Sequence, residues 1–345
     1  MAKKEESTNY GALIKELREK GPERLYLLWG PEDYLREQFL AALKKECLPG
    51  GEDDFSFKKL SGPELDPRAL AEAVDSVPFM SERTMVLVDG ADLNKIREQA
   101  ADALAAVFSD IPDYCTVALS QNSAFEPNGT LKVIKAARRQ GREIKFTAQQ
   151  EGSLISWIQK RFSAAGKTID SAGARQLIMV SGTYMNRLIP EIDKVAAYAS
   201  GERVTREDIE AVAHHIPEAR AYEMTDLMAA RDSDGAMRVL AEVLADRDNE
   251  PIMILAAIGG QFRRLYAARL AQEKKLGRGY VEEVTGLKFG FLVDRLISAA
   301  RGFSLDRLKR AVEICCETDF AMKSSGADDQ ELLKEAVLRI AAGET

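Results

Sequence analysis

Residues able to do chemistry are few in this chain, and their spacing narrows them further. Gly30-Pro31-Glu32-Asp33-Tyr34-Leu35-Arg36-Glu37 follows an apolar run and opens a helical pattern. Backbone N–H groups at such a helix start can cradle a phosphate. A phosphate loop starting at Gly30 requires glycine at Leu35, lysine at Arg36, and Ser or Thr at Glu37. Leu35 adds a side chain where the backbone must approach phosphate closely. Glu37 puts negative charge where a hydroxyl would hold magnesium. The slot is present but degraded, so tight magnesium-dependent ATP binding is not expected there. The apolar run Met85-Val86-Leu87-Val88-Asp89 ends in an acid that could hold a metal, but Gly90 stands where a second carboxylate is wanted to polarise water. Ser120, Gln121 and Asn122 end another apolar run, as polar residues commonly do, and carry no argument of their own.

Two histidines and four cysteines exclude most metal chemistry. No C-x-x-C pair exists: Cys47 and Cys115 are isolated and Cys315 and Cys316 adjacent, so no zinc framework can be assembled. Reduced, mostly buried thiols are the expectation. His214 and His215 adjoin, whereas helical metal pairs sit a turn apart, so they read as solvent or domain-junction residues. No cofactor and no metal are expected.

The elements that must position these residues fall into two regimes. From Leu25 to Phe146, short β-prone runs (Leu25 to Trp29, Phe55 to Leu60, Thr84 to Asp89, Thr116 to Ser120, Glu143 to Phe146) alternate with helical stretches (Tyr34 to Cys47, Pro67 to Asp75, Leu93 to Phe108, Leu131 to Arg139). That alternation predicts a five-stranded parallel sheet covered by helices. After Phe146 the pattern is helical throughout, in ten segments between Leu154 and Ala341. Ser153, Asp170, Thr205, Ser304 and Asp328 or Asp329 read as caps, Thr205 with Asp208 as a capping box, and Pro251 as a first-turn residue. A break around Pro217 divides the helices. The expected parts are an α/β domain over 1–148, a small helical domain over 149–213 and a helical domain over 214–345.

The formal charge is −7, with 48 basic and 55 acidic residues, so a uniformly basic nucleic-acid coat is excluded. Two local basic stretches stand out. Leu131 to Lys145 carries Lys132, Lys135, Arg138, Arg139, Arg142 and Lys145 against Glu143; Gln261 to Arg278 carries Arg263, Arg264, Arg269, Lys274, Lys275 and Arg278 against Glu273. Either is a solvated helix face or a set of phosphate contacts. Met1 to Glu6 has no apolar signal core, and the longest apolar run, Ile252 to Ile258, is too short to span a bilayer. A cytoplasmic protein without membrane contact is expected.

The connection Ser76-Val77-Pro78-Phe79-Met80-Ser81-Glu82 places large apolar groups beside a proline. They either fold back onto the core or form a hydrophobic plug for a partner's pocket, stiffened by Pro78.

Leu25 to Leu35, Val77-Pro78-Phe79-Met80-Ser81-Glu82-Arg83, Leu188 to Val195 with Tyr198, Val204 to Ile209 and Asp319 to Ser324, in that order, resemble the delta subunit of the bacterial DNA polymerase III clamp loader over nearly the whole chain. The resemblance implies an AAA+-like α/β domain without a working phosphate loop, a small helical lid and a helical collar. It implies a non-catalytic subunit of a hetero-pentamer with gamma/tau ATPase subunits and a delta-prime subunit. Such a subunit binds the beta sliding clamp, holds its ring open, and meets primed DNA through the complex as part of the polymerase holoenzyme. The family's clamp-binding Leu-Phe-like wedge maps to Pro78 and Phe79, flanked by Val77 and Met80, with proline here where a leucine often stands. The family's Asp-Lys-Arg triplet after the fourth strand is replaced by Phe125-Glu126-Pro127-Asn128. Possible DNA contacts are Lys132, Lys135, Arg138, Arg139, Arg263 and Arg264. The competing readings are an active AAA+ ATPase with an aberrant loop and a helical adaptor of another complex.

Overall fold

The structure, a computed structural model, describes residues 9–50, 55–62, 65–79, 81–246 and 249–343. Residues to Gln149, together with Tyr184–Asn186, form one compact unit, and 150–183 with the chain from Arg187 form a second.

In chain order the first unit contains α1 (Tyr10–Lys20), β1 (Leu25–Trp29), α2 (Asp33–Cys47), β2 (Phe57–Ser61), α3 (Pro67–Val74), β3 (Thr84–Asp89), α4 (Glu98–Ser109), β4 (Cys115–Ser120), α5 (Lys132–Gln140) and β5 (Arg142–Lys145). The five strands form one parallel sheet, as expected, in the order β2-β3-β4-β1-β5. β1 and β4 are buried at every position, registered Leu25 against Val117, because helices cover both faces of a parallel sheet. β2 and β5 are the edge strands and are only partly covered. From β1 the chain runs toward β2, and from the neighbouring β4 it runs the other way to β5. The loop after β1 therefore sits at a topological switch point. Leu27, Val86, Val117, Leu70, Leu104 and Ile134 pack one side of the sheet against helices.

The second unit is helical: α6 (Glu151–Ala164), α7 (Ser171–Ser181), α8 (Met185–Tyr198), α9 (Arg206–Val212), α10 (Pro217–Ala229), α11 (Ser233–Ala245), α12 (Pro251–Glu273), α13 (Arg278–Thr285), α14 (Gly290–Ala299), α15 (Leu305–Ser324) and α16 (Asp329–Ala342). The first residues of α8 group with the sheet unit. α12 is the central rod, burying Ile254, Ile258, Phe262 and Leu265 among Leu240, Ile314 and Val337. Asp170, Thr205, Ser304 and Asp328 cap as expected, and Thr205 and Asp208 close a reciprocal capping box.

Several boundaries differ from the sequence reading. β2 begins at Phe57, because Phe55 and Ser56 belong to the preceding turn. The expected helix from Leu93 is a 3₁₀ turn (Leu93–Lys95), closed by the Asp92 carboxylate on the Asn94 N–H, followed separately by α4. Ser153 lies inside α6, whose N-cap is Gln150. The expected break around Pro217 falls at residues 213–216, between α9 and α10, and Pro217 itself occupies the first turn of α10, where its missing N–H has no helical partner to lose. His214 is exposed, but His215 is half-buried, with Nε2 3.2 Å from Glu210. Burial, and secondarily Arg220, lower its pKa, against the pull of Glu210.

Candidate functional site

The degraded slot after β1 is filled by its own side chains. Gly30 has φ +117°, open to glycine, and a Cβ there would stand 2.4 Å from the Phe146 carbonyl oxygen. The Glu32 N–H donates to that same carbonyl at 3.1 Å, so it is not free to meet a phosphate. Leu35 is core. The buried Arg36 folds back, donating to the Gly30 carbonyl at 3.2 Å and pairing with Asp33, which spends its charge inside the loop. Glu37 faces solvent. Glu32 is completely buried at the N-cap of α2. Its Oε1 accepts the Met185 N–H at 3.3 Å, and Oε2 has no hydrogen-bond partner. Burial pushes its carboxyl up to about 7, the Met185 bond acting downward and Asp33 upward. The acid ending β3 is also engaged: Asp89 pairs with Lys59 at 2.8 Å. Gln121 Oε1 accepts the Leu93 N–H, and the turn at Glu126 to Asn128 is stapled to Asn94 at both ends.

The apolar connection lies before β3, at the starting ends of β2 and β3. In a parallel sheet this is the opposite edge from the slot. Val77 is 73% and Phe79 61% exposed, Pro78 is half-buried, and Met80 lies outside the described residues. The side chains have therefore not folded back onto the core. The backbone holds them out: the buried Ser56 Oγ accepts the Phe79 N–H at 3.0 Å and stands 3.3 Å from its carbonyl oxygen. Ser81 Oγ lies 2.6 Å from Ser56 Oγ and 2.9 Å from the Arg83 carbonyl. Ser56 is itself fixed to β3 through the Met85 N–H on its carbonyl, at 2.9 Å. Phe55, which the sequence pattern places inside a strand, is 82% exposed, with its ring edge-to-face on Phe79 at 6.2 Å.

The basic stretches separate into engaged and exposed members. On α5 Lys132 pairs with Asp102, and Arg138 grips both oxygens of Glu143 at 2.6 and 3.0 Å. Arg142 pairs with Glu16, and Lys145 lies over the Trp29 ring. Lys135 and Arg139 are exposed. On α12 Arg264 is partly buried and engaged with the Tyr222 hydroxyl, whereas Arg263 is exposed beside Cys315 of α15. Adjacent helical positions point about 100° apart, so the two arginines serve different faces.

No helix among the described residues is long and apolar enough to cross a membrane. Among the same residues no group of three or more His, Cys, Asp or Glu side chains is placed to hold a metal ion.

Two family models match the chain: "DNA polymerase III, delta subunit" over residues 26–147 and "DNA polymerase III delta subunit, C-terminal domain" over 218–340. The chain is 24% identical over 335 residues to DNA polymerase III subunit delta of Bacillus subtilis (strain 168), covering 94% of this chain and 95% of that one. It is 22% identical over 321 residues to a probable DNA polymerase III subunit delta of Aquifex aeolicus (strain VF5), covering 91% and 90%. The Bacillus subtilis DNA clamp loader delta protein superposes with a TM-score of 0.57 at 20% identity, covering 96% of this chain and 99% of that chain, which supports the fold. Matched at both ends by the family's own models and nearly end to end by its members, the chain belongs to the DNA polymerase III delta subunit family.

Proposed function

We propose that this chain is the clamp-opening subunit of its clamp loader. The apolar connection at Val77, Pro78 and Phe79, with Met80 beside it in sequence, docks on the beta sliding clamp and favours the open ring by binding that state more tightly. Gamma/tau ATPase subunits supply ATP hydrolysis, and with a delta-prime subunit complete a hetero-pentamer that meets primed DNA. Residues 1–148 serve as the clamp-binding domain, 149–213 as lid and 214–345 as collar. The observation that carries this reading is the exposed Phe79, held outward by a buried hydroxyl on its own backbone. The closed loop at Gly30 supports the assignment of ATP chemistry to partners, because Arg36 and the Glu32 N–H are already bonded within the chain. Burying one Phe contributes only about 1.5–3 kcal/mol, so a wider footprint surrounds the wedge.

The test is a pull-down of purified beta clamp and of gamma/tau with delta-prime on the immobilised chain. Capture of both is expected, and capture of neither sinks the reading. Primed-DNA contact falls to the exposed cations, Arg263 first, with Lys135 and Arg139. Arg263→Ala in the assembled loader is expected to weaken DNA binding and to reduce the slope of log affinity against log salt by about 1. An unchanged slope removes Arg263 from the DNA path.

A further inference from the structure

The docking reading assigns the apolar contact to one connection, yet that connection presents fewer groups than its sequence suggests. Pro78 is half-buried, leaving Val77 and Phe79 as its exposed apolar members among the described residues. A second ring from elsewhere in the chain stands at the same place. Phe55, in the turn before β2, is the most exposed of the large apolar side chains described, and it meets Phe79 edge-to-face with ring planes at 88°. The next residue, Ser56, holds the Phe79 backbone, so the two rings are carried by one hydrogen-bonded assembly. Edge-to-face contact engages the rim of one ring and one face of the other. The rest of both rings remains in water, which a merely self-packed pair would avoid.

We infer that Phe55 is a second anchor of the docking element. It enters the same apolar cleft as Phe79 and supplies the side-chain volume that Pro78 turns away. The occupant of this surface is a cleft on the sliding clamp, lined by uncharged apolar groups and wide enough for two rings 6.2 Å apart. Continuity with Phe79 argues for that partner. By size the patch is only part of an interface with any partner: Phe55, Phe79 and Val77 expose on the order of 400 Å² of side chain. A stable interface needs about 800 Å² per partner. The patch is thus an anchor within a larger footprint. This inference rests on the clamp-binding reading, and the experiment separates the two.

Clamp affinity is measured for the full chain and for Phe55→Ala, Phe55→Leu, Phe79→Ala and the double alanine variant, with melting temperature and sedimentation of each. Phe55→Ala is expected to weaken clamp binding at least fivefold without changing the melting temperature, and Phe55→Leu to return to within about twofold of the parent. The double variant should lose less than the product of the single losses, because the rings share one cleft. A loss below fivefold in Phe55→Ala, with binding destroyed in Phe79→Ala, overturns the second anchor and leaves the docking reading standing. Parent-like affinity in both single variants overturns the docking reading itself. A loss that leucine fails to restore means that Phe55 only braces the Phe79 ring, and overturns the anchor role. Reduced self-association with unchanged clamp affinity assigns the patch to a second copy instead, and overturns the proposal.

Discussion

Phe79→Ala is expected to abolish capture of the beta clamp in a pull-down while melting within about 3 °C of the parent. Both halves of that expectation follow from geometry. The Ser56 hydroxyl holds Phe79 through its main-chain N–H and carbonyl, which alanine retains, so the loop keeps its course. The ring is 61% exposed and leaves little of the protein's own core unfilled when it is removed. On the proposed docking its value lies in the complex, where burial of a phenylalanine would contribute about 1.5–3 kcal/mol. That is roughly a tenfold to 150-fold change in dissociation constant. At protein concentrations near the parent's dissociation constant, such a loss empties the pull-down. Undiminished capture would remove Phe79 from the interface. A melting temperature lowered by more than about 10 °C would show instead that the ring serves the fold.

Glu32→Gln is expected to remove a decline in stability between pH 5 and pH 8 that the parent shows. The Glu32 carboxyl is fully buried, and burial raises it from 4.5 to about 7. A carboxyl raised on folding contributes its full stability below the unfolded value near 4.5. It loses that contribution as pH climbs through about 7, when the buried group must ionise. The difference across this window is on the order of 3 kcal/mol. Glutamine stays neutral throughout, and its amide oxygen can still accept the Met185 N–H. Carboxylates held low by partners, such as Glu16 beside Lys20 and Arg142, act in the opposite direction and at lower pH. The comparison is therefore made between parent and variant at each pH: coincident curves at pH 5, with the variant more stable at pH 8. Parallel unfolding curves at both would show that Glu32 is solvated.

What the sequence made legible follows how local the determinant is. β1 and β4 could be placed because the run Leu25–Trp29 and the apolar stretch Val117-Ala118-Leu119 within Cys115–Ser120 admit little else in an alternating pattern, and both strands are buried throughout. The departure of the loop after Gly30 from a phosphate-loop pattern was also readable, since Leu35 and Glu37 stand where glycine and a hydroxyl are required. α13 escaped because only Val281 is buried in it, too little to set a helical period. α1 escaped for a related reason, having just Leu13 and Leu17 buried among charged neighbours. Phe55 reads as the first residue of an apolar strand; its exposure is decided by Ser56 turning to a backbone far along the chain. The state of Glu32 depends on Phe146 and Met185, neither of which is near it in sequence. The two basic stretches look alike on paper. Lys132 and Arg138 carry acidic partners, whereas Lys135, Arg139 and Arg263 stand in solvent.

The bond from the Ser56 hydroxyl to the Phe79 backbone has a mechanical meaning. Phe79 hangs on Ser56, and Ser56 on Met85 of β3, which is paired along its length to both β2 and β4. The path from the sheet to the Phe79 backbone thus runs through two hydrogen bonds of ordinary length, at 3.0 and 2.9 Å, that meet at Ser56. On the proposed role, torque applied to the sheet would reach Phe79 with little compliance. On the proposed clamp-opening role, such a tip needs a stiff shaft behind it, and the three strands β2, β3 and β4 would form that shaft.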